Sequence, residues 1–136
     1  MNRKGSLLLF FLFFIGCAPV APLRISLPES PVPYDRAWQV ALETSLLYYE
    51  RIAVDDKEAG FFQTTWNIEK SGLIIGTPVK RNRLLGQVVN KSPLRLHLTL
   101  EEEAFSMELG RWVQEEPNKP LLTQIAQDMG AKLQRF

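Results

Sequence analysis

Cysteine and histidine are scarce in this sequence of 136 residues, since each occurs only once. A lone cysteine, Cys17, excludes an intrachain disulfide framework, and with a lone histidine, His97, it supplies too few ligands for a transition-metal site. An excess of one charge is also missing, because 16 basic residues face 15 acidic ones. Nucleic-acid-binding domains concentrate basic residues, so this balance argues against such a partner. With no catalytic motif either, the sequence predicts a protein that is not an enzyme and uses no metal, cofactor or small-molecule substrate.

The longest apolar run is too short to cross a membrane, but it belongs to a segment with the form of an export signal. Arg3 and Lys4 give a positive start, and nine consecutive apolar residues follow from Leu7 to Ile15. Secretory signals use about 7–15 such residues, whereas a transmembrane helix needs about 20. Gly16 and Cys17 complete a stretch that resembles the cleavage site of bacterial lipoproteins. We therefore predict that residues 1–16 are removed and that Cys17 is acylated; the alternative is an ordinary signal peptide with a chance cysteine.

Residues 17–33 are predicted to be the lipidated cysteine and a proline-rich tether. Five of the sixteen residues from 18 to 33 are proline, and such linkers extend about 3.1 Å per residue, so this tether would reach roughly 50 Å. The alternative is that part of it lies on the domain as an edge strand, because Leu23, Ile25 and Leu27 occupy alternate positions. Removal of the signal takes away two of the 16 basic residues and none of the 15 acidic ones, so the mature chain would be slightly acidic. Membrane attachment would therefore come from lipid and not from a basic patch.

A single α+β domain is predicted for residues 34–136. Its N-terminal helix would run from Tyr34 to Tyr49, and its C-terminal helix would begin after Asn118, which is a favourable N-cap residue. Gly130 would weaken the second helix by up to about 1 kcal/mol relative to alanine. Each helix carries an apolar stripe at helical spacing, formed by Trp38, Ala41, Leu42, Ser45 and Tyr49 and by Leu122, Ile125, Ala126, Met129 and Leu133.

Strand patterns occupy the middle of the domain. The clearest lies at positions 94–100, where four leucines alternate with polar residues, as expected for a half-buried antiparallel strand. Shorter alternations occur around Ile52, along residues 62–68 and along residues 79–89. Since each element has one apolar face, we expect an antiparallel sheet of three to four strands with both helices packed on one face. All three tryptophans are predicted to be structural: Trp38, Trp66 and Trp112.

The two central strands are predicted to form a hairpin with its turn centred on Lys91. Apolar residues of both strands must face the core together, and directly paired residues share a face. This register places Arg81 opposite Glu101 on the polar side. It leaves a small basic patch of Arg83, Arg95 and His97. The patch is either a solvated surface or a docking site for an acidic partner.

A second candidate contact is the apolar loop Leu73-Ile74-Ile75, which lies between two glycines. Exposed apolar clusters tend to mark interaction sites, although the loop can equally fold back onto the sheet or form a strand. Trp112 is the one tryptophan that can also serve a partner. The possible partner-binding residues are therefore Leu73, Ile74, Ile75, Arg83, Arg95 and Trp112.

Three segments of the domain have a familiar pattern, namely 34–42 (YDRAWQVAL), 52–56 (IAVDD) and 60–66 (GFFQTTW). They resemble the small domains of the lipoprotein component C of the outer-membrane β-barrel assembly machine and of related envelope lipoproteins. That pattern is a helix carrying tryptophan, a strand ending near aspartate, a glycine turn and a strand ending in an aromatic residue. The resemblance covers roughly residues 34–133, about one repeat of a two-domain family. It implies a non-enzymatic domain that binds other envelope proteins, and no binding residues carry over.

These observations together predict a lipoprotein that scaffolds an envelope protein complex. Ala18, and not aspartate, follows Cys17, and by resemblance to known sorting rules this favours the periplasmic face of the outer membrane. The alternative is a binding module for a lipid or another apolar ligand held between the sheet and the helices, with residues 73–75 as its lid.

Overall fold

Seven strands and two helices form the part of the chain that the computed structural model describes, which is residues 20–70 and 78–135. The predictions about Cys17 and about Leu73, Ile74 and Ile75 lie outside these residues. The elements in chain order are β1 (Leu23–Ser26), α1 (Tyr34–Ser45), β2 (Ile52–Asp56), β3 (Phe61–Thr64), β4 (Asn67–Lys70), β5 (Pro78–Lys91), β6 (Leu94–Ser106), β7 (Arg111–Glu115) and α2 (Lys119–Leu133).

The predicted sheet of three to four strands with both helices packed on one face is wrong. The fold is mostly β, a seven-stranded antiparallel sheet with only two helices in the described residues. The additional strands come from three parts of the sequence. The alternation over residues 62–68 is divided between two strands, β3 and β4, and β7 forms after the turn at residues 107–110. The proline-rich segment adds the third, because Leu23–Ser26 pairs with β6 as β1, which agrees with the alternative of an edge strand.

The long hairpin of β5 and β6 forms the centre of the sheet. β5 has 14 residues and β6 has 13, so each strand is long enough to pair with two shorter neighbours in succession. β3 and then β4 pair along the free side of β5, and β1 and β7 pair along the free side of β6. The sheet order is β1-β6-β5-β3-β2, with β4 and β7 off this path.

The register of this hairpin differs from the predicted one by two residues. Leu84 lies opposite Leu100, and Arg81 lies opposite Glu103 instead of Glu101. The strands continue to Lys91 and Leu94, so only two residues form the turn, and the pairing shifts at a bulge between Val88 and Asn90. A shift by an even number of residues keeps each side chain on its face, so the leucines still point together into the core.

One hydrophobic core joins the sheet to both helices. The four leucines of β6 at positions 94–100 are at most 3% exposed, and Trp38 of α1 and Ile125 of α2 belong to the same buried cluster. Trp38 stacks edge-on against Phe62 with 5.8 Å between ring centroids. Asn118 caps α2 as predicted, since its side chain accepts a hydrogen bond from the Leu121 amide at 3.1 Å.

The buried phenol of Tyr49 is expected to make the stability of the domain depend on pH. Its hydroxyl donates to Asn82 Oδ1 at 2.7 Å, and burial, reinforced by the nearby Glu102 carboxylate, raises the pKa of this phenol well above its ordinary value. The unfolded chain therefore loses this proton first, and the free energy of unfolding falls as the pH rises above about 10. We expect Tyr49→Phe to reduce that fall, measured as the thermal midpoint between pH 8 and 11. An unchanged pH slope in the variant would contradict this role.

Candidate functional site

The side of the sheet opposite the buried leucines carries a row of paired charges. Arg81 Nε lies 2.7 Å from Glu103 Oε2, and Arg83 Nε lies 2.6 Å from Glu101 Oε2. Each pair joins directly opposed residues of β5 and β6. The four side chains are only 21–26% exposed, so both ion pairs are partly shielded from water. The predicted basic patch is therefore absent at Arg83, because a glutamate faces it.

Two tryptophan rings pack on these arginines. The guanidinium carbon of Arg81 lies 4.3 Å from the ring centroid of Trp66 and 4.3 Å from that of Trp112. Arg83 also lies over Trp66, at 4.4 Å. Trp66 precedes β4 and Trp112 belongs to β7, which flank the central hairpin on its two sides, so Arg81 lies between the two rings. We call these residues the outer-face cluster: Trp66, Arg81, Arg83, Glu101, Glu103 and Trp112.

Trp66 reaches this face through a change of register between β3 and β4. Phe62 lies opposite Gly86 in β3, and Ile68 lies opposite Arg81 in β4, which is a difference of one residue in the pairing along β5. A shift of one residue moves side chains to the other face of a sheet. The alternation noted along residues 62–68 would place positions 62, 64, 66 and 68 on one face, and this is wrong, because the register changes between the two strands. Trp66 and Trp112 are half-buried on the outer face, whereas Trp38 is in the core.

The contacts within the outer-face cluster hold its side chains in fixed positions, as a binding surface requires. Trp112 also packs edge-on against Phe105, with 5.4 Å between centroids. Cation–π contacts contribute about 0.5–1 kcal/mol each at exposed sites, and each arginine here is fixed by both a carboxylate and a ring. Side chains that are already ordered lose little conformational entropy on binding. Trp and Arg are also the residue types that dominate binding energy in interfaces.

The remaining predicted site residues fall in different places. Arg95 is exposed near the turn of the central hairpin, where its Nε lies 3.3 Å from Glu29 Oε1. His97 is half-buried opposite Gln87. The structure thus brings Arg83 and Trp112 into one cluster and places Arg95 outside it. Sequence reasoning missed Arg81 as a central residue, because its two aromatic neighbours come from distant segments.

A second concave feature, also missed from the sequence, lies between β1 and α2. It is a groove of about 570 Å³ lined by residues 25–29 and by one face of α2 from Thr123 to Gln134. That helix face is formed largely by small residues, including Ala126, Gly130 and Ala131. Their spacing at i, i+4 and i+5 places them on one helix face, and small residues there leave room for a neighbouring segment. This pattern in the sequence could have indicated the groove.

Metal-ligand groupings, membrane-spanning helices and relationships to known proteins each bear on function. In residues 20–70 and 78–135, no three His, Cys, Asp or Glu side chains are grouped so that they could hold a metal ion. No helix in the same ranges combines the length and apolarity needed to span a bilayer. No known protein family and no curated protein matches the chain.

Proposed function

We propose that this chain is a non-enzymatic lipoprotein, anchored through an acylated Cys17 at the periplasmic face of the outer membrane, where it serves as an accessory or scaffold subunit of an envelope protein complex. The anchor is supported by the signal-like first seventeen residues and by the single cysteine at their end. The binding role is supported by one structural observation above all, the outer-face cluster in which Arg81 lies between two half-buried tryptophans.

The short distance along the chain between Cys17 and the sheet sharpens this proposal. β1 begins at Leu23, so only six peptide units separate the predicted lipid from the domain. An extended chain spans at most about 3.5 Å per residue, which limits the reach to about 20 Å instead of the roughly 50 Å expected for a free tether. The lipidated domain would therefore lie close to the membrane surface, and its partner would be a membrane-embedded or membrane-bound protein.

Replacement of Cys17 tests the anchor. Acylation supplies the membrane affinity in this proposal, because 16 basic residues face 15 acidic ones in the sequence and this balance gives little net attraction to anionic lipid headgroups. We expect Cys17→Ser to move the protein from the membrane pellet to the soluble periplasmic fraction, measured by cell fractionation and by loss of labelling with a fatty-acid analogue. Unchanged membrane association of the serine variant would refute the anchor.

Site-specific crosslinking tests the binding surface. Gln114 is exposed and lies opposite Glu103, so a photoreactive residue there sits beside the outer-face cluster; an identical probe at the exposed Gln39 on α1 is the control position. We expect protein crosslinks from position 114 that are lost in Trp66→Ala/Trp112→Ala. Truncation of a binding hot spot typically costs about 2 kcal/mol or more of binding free energy. For this variant that corresponds to a loss of affinity of roughly 30-fold or more.

A matched variant separates loss of binding from loss of apolar surface in general. Leu46 and Leu47 are exposed after the end of α1, so Leu46→Ala/Leu47→Ala removes apolar area outside the cluster. This control should keep the crosslinks from position 114, and the thermal midpoint of each variant should show that the fold survives. If the folded double tryptophan variant forms the same adducts as the wild type, the outer-face cluster is not the binding surface.

The second candidate function, binding of a lipid or another apolar ligand, is supported by the groove between β1 and α2. Ligand pockets are typically about 300–1,000 Å³, and this groove of about 570 Å³ falls in that range. A co-purifying lipid in the folded protein would favour this function over the first.

A further inference from the structure

In the part of the chain that the structure describes, the outer edge of β1 presents backbone groups that pair with no strand. Within the described residues, β1 has one hydrogen-bonded neighbour, β6. The Leu27 amide donates to the Leu96 carbonyl oxygen at 2.9 Å, which identifies the residues that point toward β6. Because backbone groups alternate between the two sides of a strand, the N–H and C=O groups of Arg24 and Ser26 point away from β6. Both residues are exposed, so these groups are open to a further strand.

The groove between β1 and α2 runs along this same edge. Residues 25–29 of an extended chain and residues 123–134 of a helix each cover roughly 16 Å, which is room for four or five extended residues. One end is closed, since Gln134 Nε2 donates to the Glu29 carbonyl at 3.4 Å and Ser30 Oγ donates to the Leu133 carbonyl at 2.9 Å. The middle is open, because a Cβ added at Gly130 would meet no atom within 4 Å.

The charges around the groove define what would fit. Glu29 is the one charged residue among the described residues that line the groove, and Arg95 already pairs with it at 3.3 Å. The interior therefore suits uncharged side chains. Arg24 lies on the outer face of the same edge, where its Nε donates to Thr99 Oγ1 at 3.4 Å, and no carboxylate in residues 20–70 or 78–135 forms an ion pair with it. A residue directly opposite Arg24 on an added strand would share that face, and a carboxylate there would complement the guanidinium.

We propose that this groove binds an extended segment of a partner protein, which adds to β1 as an additional strand. Its alternate apolar side chains point toward α2, and an acidic residue lies opposite Arg24. Strand addition of this kind draws affinity from main-chain hydrogen bonds and specificity from alternate side chains. An acyl chain would fill the apolar floor but could not form hydrogen bonds with the backbone groups of Arg24 and Ser26. The proposal does not depend on acylation of Cys17 or on the outer-face cluster.

Peptide binding to the full chain in lipid nanodiscs tests the proposal. The probe is a fluorescent peptide, acetyl-Thr-Ile-Glu-Ile-Thr-Ile-amide, and its binding is followed by anisotropy. We expect Gly130→Phe, which places a ring in the open groove, to weaken binding at least tenfold, and Gly130→Ala to retain it as the matched control. Amide exchange at Arg24 and Ser26 should slow when the peptide is bound, because their N–H groups would enter a sheet.

A charge exchange gives a second test that leaves the groove unfilled. We expect Arg24→Glu to bind the probe at least tenfold more weakly and to regain affinity for the same peptide with lysine in place of glutamate. Equal binding of the probe by folded Gly130→Phe, absence of binding by the wild type, or unchanged exchange at Arg24 and Ser26 would each overturn the proposal. A fluorescent fatty acid that binds the wild type but not Gly130→Phe, with no peptide binding, would overturn it in favour of an acyl ligand.

Discussion

Gly86→Ala is expected to destabilise the domain by about 3 kcal/mol or more. Overpacking of a core typically costs about 1–3 kcal/mol. A Cβ at this position would lie 2.0 Å from Cε1 of Phe62 and 2.4 Å from its Cζ, so the ring covers the glycine directly. Phe62 is 0% exposed and packs edge-on against Trp38, so a shift of its ring would disturb the core. Urea denaturation measures the effect as a lower midpoint, if the slope is unchanged.

A double-mutant cycle assigns this loss to the contact between ring and glycine. Phe62→Leu removes the ring atoms that an alanine at position 86 would meet, so the pair Phe62→Leu/Gly86→Ala should cost less than the sum of the single changes. Coupling between contacting residues is usually about 0.5–3 kcal/mol. Gly130→Ala is the matched control, because its Cβ meets nothing within 4 Å, and it should stabilise the helix by up to about 1 kcal/mol. A Gly86→Ala variant with the wild-type midpoint would show that the ring does not cover the glycine.

Trp38→Ala is expected to cost about 3–5 kcal/mol, as for other large buried side chains. Trp38 is 5% exposed in the middle of α1, contacts Phe62, and donates its indole N–H to Asp55 Oδ1 at 3.0 Å. A loss of this size is a large part of the about 5–15 kcal/mol by which domains are usually stable. The thermal midpoint and the urea midpoint should both fall sharply.

Two comparisons identify the source of the Trp38 effect. Trp38→Phe keeps an aromatic ring in the core and removes the hydrogen bond to Asp55, so it should cost only about 0.5–1.5 kcal/mol for that bond plus a small loss of packing. Trp112→Ala on the outer face removes a ring that is only half-buried, so it should cost clearly less than Trp38→Ala. If the two alanine variants lose equal stability, the distinction between core and outer face is incorrect.

The candidate site shows how much depends on pairing between distant segments. Arg83 and Trp112 were identified from the sequence because a charged residue and an aromatic residue stood in strand patterns. Their position in one cluster does not follow from the sequence, because the predicted register of β5 and β6 differs by two residues from the observed one. At the correct register Arg83 faces Glu101, so an expected free charge becomes one partner of an ion pair. The alternation along residues 62–68 favours one face for Phe62 and Trp66, but Trp66 lies beside Arg81 on the outer face.

Some features of this protein follow from the sequence by itself, because they depend on neighbours within a few positions. The presence of the two helices, the N-cap at Asn118 and the buried leucines at positions 94–100 are set by local capping chemistry and by the periods of helix and strand. The end of the first helix is not, since α1 stops at Ser45 instead of the predicted Tyr49. Only the tertiary structure decides the number of strands, the hairpin register and the face on which Trp66 lies. These features depend on bulges and on pairing between distant segments, where a shift of one residue exchanges the two faces of a strand and leaves almost no trace in the local pattern.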